Sequence, residues 1–134
     1  MSRTVLLHVG AVALASAFAA FSGTPARAGA ADFRFELAGA PRLVGTNDII
    51  DVRLIHVPDG KPVEGAVIFE STADMGPAGM PTMPAPVTPM PVRNGVYTFA
   101  IEPGMAGKWA IHLAAKVQGE AETVRGTVIA DLVK

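Results

Sequence analysis

From Phe33 onward, apolar and polar side chains alternate in short runs separated by Gly, Pro, Asn and Asp, and no stretch sustains the 3.6-residue period of an amphipathic helix. Period-two alternation predicts strands over residues 33–37, 49–57, 66–72, 87–92, 96–101, 109–117 and 123–132. Seven short strands in about a hundred residues point to an all-β fold, an immunoglobulin-like antiparallel sandwich. The punctuation agrees: Pro58-Asp59-Gly60 and Asn94-Gly95 are turn signals, and Gly119-Glu120 parts the last two strands.

The alternation also assigns faces. Trp109, Ile111 and Leu113 share one face, which leaves His112 outward with Lys108. Ile50, Val52 and Leu54 point inward and carry His56 onto the inner face at the end of its strand. A two-residue turn at Asn94-Gly95 pairs Arg93 with Val96 and, counted back, Met90 with Phe99. Methionine against an aromatic ring is ordinary packing, so Met90 is expected in the core. Pro89 and Pro91 cannot donate ladder hydrogen bonds, which makes their strand an edge.

One segment breaks the pattern. Residues 73–92, ADMGPAGMPTMPAPVTPMPV, hold four of the chain's six methionines and six of its eleven prolines. A Met/Pro-rich loop over residues 73–91 that interrupts the sheet is therefore expected. In an extended polyproline stretch Met80 and Met83 project from the same side about 9 Å apart, and the turn at Gly76-Pro77-Ala78-Gly79 can fold Met75 back toward Met80.

At the N-terminus Arg3 precedes an apolar run from Val5 to Phe21 and a small-x-small site at Ala26-Arg27-Ala28. This predicts a secretory signal peptide over residues 1–28 and a single exported domain over 29–134, periplasmic and with no membrane span after cleavage. Cleavage removes Arg3 and Arg27 and leaves nine Lys and Arg against 12 Asp and Glu, a formal charge of −3 that argues against nucleic acid or anionic lipid as partner. The chain has no cysteine, so the fold is expected to hold by packing alone in an oxidising compartment.

Thioether sulfur is soft and neutral. It suits Cu(I) or Ag(I), forms no disulfide, and loses no proton on binding. Met75, Met80 and Met83 are thus candidate ligands, with core cover of an open end of the sandwich as the equally available alternative. Met105, in a turn before Trp109, is core cover or a further thioether. His56 and His112 form no His-x-His or His-x3-His pair, which argues against a dedicated zinc or Cu(II) site. His56 is the better of the two as an added copper ligand and is otherwise a structural histidine. Asp74, beside Met75, is expected to be a solvated loop carboxylate.

The run from DGKPVEGAVIFESTADM through the Met/Pro segment to NGVYTFAIEPGMAGKWAIHLAAKV resembles the YtkA-like domain family, a relative of the FixH-like periplasmic domains. The resemblance spans about residues 48–118 and rests on Asp59-Gly60-Lys61-Pro62-Val63, Gly95-x-Tyr97 and Met105-Ala106-Gly107-Lys108-Trp109. It implies an immunoglobulin-like sandwich and a setting near heavy-metal efflux or copper-dependent oxidase assembly. The family's loop methionines fall on Met75, Met80 and Met83, and its methionine before the tryptophan on Met105. The spacing here is wider than in versions with adjacent or alternate methionines.

Two functions follow. One is a periplasmic chaperone or accessory that binds Cu(I) through the Met-rich segment. The other is a non-catalytic interaction module whose Met/Pro loop docks on an envelope protein. An enzyme is not expected, because Ser71 is the only serine after residue 28 and neither histidine stands in a nucleophile or zinc motif.

Overall fold

A computed structural model describes residues 30–133; the predicted signal peptide lies outside the described residues. A 3-10 turn, Ala30–Asp32, leads into ten strands: β1 Phe33–Leu37, β2 Arg42–Val44, β3 Asn47–His56, β4 Lys61–Pro62, β5 Val67–Met75, β6 Met80–Ala85, β7 Val87–Pro89, β8 Tyr97–Ile101, β9 Gly107–Lys116 and β10 Val124–Leu132. A second 3-10 turn, Gly76–Ala78, joins β5 to β6.

The strands form two antiparallel sheets packed as a sandwich. One has the order β1-β3-β8-β7, with the short β2 and β4 paired to the two ends of β3; the other has the order β10-β9-β5-β6. Inner-face residues of both sheets make one core, in which Ile50, Val52, Leu54, Phe99, Trp109 and Ile111 are almost fully buried. The alternation in β3, β8 and β9 put these side chains inside, because one phase of each strand carries its large apolar side chains, with Asp48 and His56 sharing that phase only at the two ends of β3.

Each of the seven expected strands is present, and three short ones join them. The important addition is β6, since the Met/Pro segment does not interrupt the sheet but supplies its edge. Its prolines remove donors, so the segment pairs with β5 at only three positions: Ala73 with Ala85, Asp74 with Pro84, and Met75 with Met80. Between the last two pairs the register shifts, and Pro81, Thr82 and Met83 form the irregular stretch. The chain then crosses at Pro86 to the other sheet as β7.

Met90 departs from expectation. Arg93 bridges to Val96 as predicted, but Pro89 rather than Met90 stands opposite Phe99. One extra residue between these pairs throws the register off by one. Met90 still donates its N–H to the carbonyl of Thr98 at 2.8 Å, yet it is 42% exposed. With Pro91 unable to extend the ladder, β7 ends at Pro89.

Tyr97 locks the two sheets where the chain passes from β4 to β5. Its hydroxyl donates to the carbonyl of Val63 and accepts the N–H of Ala66, both at 3.0 Å. Burial pushes the phenol above its usual pKa against the opposing effect of the Ala66 N–H, and the nearby Glu64 carboxylate adds a smaller upward push.

Candidate functional site

The two ends of the sandwich carry different chemistry. One holds the β5–β6 turn, the 102–106 connection from β8 to β9, and the end of β10, where Leu132 pairs with Gly107. Met75, Met80 and Met105 belong to this end. His56 belongs to the other, about 25 Å away along β3 by the rise of a strand.

Met75 is the last residue of β5 and is only 2% exposed. It follows the inner-face phase of Ala73 and packs in the core. Its terminal methyl lies against Gly107, where an added Cβ would sit 2.9 Å from Met75 Cε. Met80 opens β6 directly opposite Met75 in the register. The 3-10 turn brings them together: the N–H of Gly79 donates to the carbonyl of Gly76 at 2.9 Å, and Gly79 takes φ +81, a left-handed conformation natural to glycine. Met80 and Met83 are half-buried and pack against the same core. Three thioethers of one hairpin therefore face a common layer.

Met105 is more open, at 40% exposure, and its carbonyl accepts the indole N–H of Trp109 at 3.1 Å. This bond explains the spacing in Met105-Ala106-Gly107-Lys108-Trp109: the buried tryptophan closes the turn that precedes its own strand. The same turn brings Gly107 onto Met75.

His56 is not brought to the methionines. Its Nδ1 lies 2.9 Å from Asp59 Oδ1, and its ring is tilted against Phe33 with centroids 5.1 Å apart. Among the described residues, no three His, Asp or Glu side chains gather as a metal-binding group.

Asp74 is not a solvated loop carboxylate. Its Oδ1 accepts the N–H of Gly76 at 2.7 Å, and its Oδ2 lies 2.7 Å from His112 Nε2. The other imidazole nitrogen, Nδ1, lies 2.9 Å from Thr127 Oγ1. The Gly76 N–H, with a smaller contribution from His112, holds the Asp74 carboxyl below the usual carboxylate range against the opposing effect of burial. An ionised Asp74 takes a proton donor at Nε2, and in the neutral imidazole Nδ1 then accepts from the Thr127 hydroxyl. Carboxylate, imidazole and hydroxyl stand in the order of a nucleophile relay. Here, however, Thr127 sits mid-strand on an outer sheet face, beside a hollow of about 290 Å³ whose Arg125 and Glu70 are already paired at 3.2 Å. The arrangement fits a cross-strand clamp through β5, β9 and β10. The outward phase of His112 was readable from alternation; its partners were not, because both lie distant in sequence.

A second hollow, of about 240 Å³, opens between the sheets where β6 no longer covers β5. It is lined by apolar groups that include Val67, Ile68, Met90 and Val92.

The fold and this end of the molecule define a two-sheet β-sandwich domain with a methionine hairpin at one end. The YtkA-like family model matches residues 27–114, more than half of the chain, and the protein belongs to that family. No curated protein matches the sequence. Among solved structures, the crystal structure of a DUF4426 family protein from Pseudomonas aeruginosa is similar at 13% identity and TM-score 0.47, covering 75% of this chain and 88% of that one. No helix among the described residues is long and apolar enough to cross a membrane.

Proposed function

We propose that this YtkA-like domain is an exported, periplasmic metal-handling protein that carries Cu(I) or Ag(I) on thioether sulfur and passes it to an efflux or oxidase-assembly partner. The observation that carries the reading is the pairing of Met75 with Met80 across the turn. Met83 joins them on the same core-facing side of the hairpin. Soft, neutral sulfurs suit a soft monovalent ion and need no deprotonation. The half-buried Met80 and Met83, on an edge strand, are the sulfurs an entering ion meets first, with Met75 beneath them. An edge held by three ladder pairs can yield to admit and release cargo. Met105 lies two residues from Gly107, under which Met75 packs, and is the candidate fourth sulfur.

The test is an anaerobic Cu(I) competition titration against a chromophoric chelator, with the chain lacking residues 1–28 beside its Met75→Leu, Met80→Leu, Met83→Leu variant. One equivalent bound by the parent and none by the folded variant supports the reading. Equal binding, or no binding by either, removes it.

A second reading has its own support. Val67, Met90 and Val92, more than 40% exposed, border the 240 Å³ hollow and offer apolar surface to an envelope protein. Leucine at the methionine positions would preserve such docking while abolishing thioether binding.

A further inference from the structure

The hairpin that carries the methionines is poorly held by its own backbone. Pro81 and Pro84 have no N–H to donate, and the register breaks directly after Asp74. Asp74 is therefore the last residue of β5 in the regular ladder. From that point its side chain supplies what the ladder lacks. One carboxylate oxygen holds the N–H of Gly76, the first residue of the turn, and the other meets His112 in the centre of β9, whose second nitrogen is held by Thr127 of β10. The approach is close: a Cβ at position 76 would fall 2.8 Å from Asp74 Oδ1, so a larger residue there would have to displace the carboxylate from its place over the turn.

Resting on the metal-handling reading above, we propose that His112 and Thr127 are positioning residues for the thioether site: through Asp74 they fix the Gly76–Ala78 turn and so hold Met75 opposite Met80. None of the three touches the cargo. Their contribution is the preorganisation that partners of metal ligands supply from behind. The imidazole anchors the turn to β9, an inner strand of the sheet that is paired on both sides.

The experiment uses the chain lacking residues 1–28 with 13C-methyl-labelled methionine, and compares the parent with His112→Ala, His112→Gln and Asp74→Asn. Without metal, His112→Ala is expected to move the Met75 and Met80 methyl resonances and speed exchange of the Gly76 amide, while the Met90 methyl, on the other sheet, stays in place. Cu(I) affinity is expected to fall at least about tenfold, the usual loss when a supporting partner is removed. His112→Gln, which keeps an N–H donor within reach of Asp74, restores most of both signals. Asp74→Asn retains an oxygen for Gly76 but loses the carboxylate, and provides the same comparison if His112→Ala does not fold. Unchanged Met75 and Met80 methyls and an unchanged Gly76 amide in a folded variant overturn the inference. Failure of the parent to bind Cu(I) overturns the metal reading instead, and the metal-free arm still decides whether the clamp sets the hairpin.

Discussion

The methyl of Met75 and the backbone of Gly107 occupy neighbouring space with no room for a β-carbon between them; one built on Gly107 would stand 2.9 Å from Met75 Cε. Gly107 also takes φ +144, a backbone region that side chains with a β-carbon rarely enter. The Met-Ala-Gly-Lys-Trp turn and the methionine hairpin thus fit together at one point. Gly107→Ala is expected to destabilise the domain by about 1–3 kcal/mol through overpacking and backbone strain. A double-mutant cycle with Met75→Ala separates the two causes: the overpacking part disappears when the methyl is gone, and the strain part persists.

Met75→Leu conserves volume in the core and is expected to cost less than about 1.5 kcal/mol. Met75→Ala leaves a cavity and costs about 2–5 kcal/mol. Urea unfolding with a constant m-value reads both. The leucine variant therefore tests sulfur rather than packing.

Tyr97→Phe deletes one hydroxyl and strands two backbone groups, the carbonyl of Val63 and the N–H of Ala66. A loss of about 1–3 kcal/mol is expected, measured by thermal or urea unfolding. A change within a few tenths of a kcal/mol would mean that water replaces the hydroxyl.

Acid should weaken the fold through identified carboxylates. Asp51 lies below the usual carboxylate range chiefly through its hydrogen bond to Arg42, assisted by the Thr98 hydroxyl, and Asp74 through the Gly76 N–H. A folded pKa below the unfolded value of about 3.9 gives stability that is complete above that value and is lost as the pH falls through the folded pKa. Unfolding free energy measured between pH 6 and pH 2 is expected to decline below about pH 4, and the decline should be shallower in an Asp51→Asn, Asp74→Asn variant.

Cu(I) affinity, by contrast, is expected to stay nearly level between about pH 5 and 8, since thioethers do not titrate there. A competition titration across that range that found a steep rise with pH would point to histidine rather than methionine as the ligand.

Much of the architecture was legible in the chain. The faces of β3, β8 and β9 follow from alternation, because a one-residue slip would turn Trp109 and Ile111 out to water and Lys108 in. The turn at Asn94-Gly95 was equally plain, with Asn94 at φ +50 and Gly95 at φ +72. Strand β6 was not, because proline-rich sequence reads as loop and only the neighbouring β5 gives it a ladder to join. Met90 was misplaced for a similar reason: a single unpaired residue in an edge strand leaves no mark in the alternation.

The site divides along the same line. Sequence alone determined that the chain carries soft sulfur at positions 75, 80 and 83, that a glycine turn separates Met75 from Met80, and that His112 faces outward; these are matters of residue type and local period. Tertiary structure decided that Met75 is buried under Gly107, that His56 stands at the far end of the sandwich, and that Asp74 is tied to His112 and Thr127. The last of these joins residues 15 and 38 positions apart, and only the pairing of β5, β9 and β10 brings them within hydrogen-bonding distance.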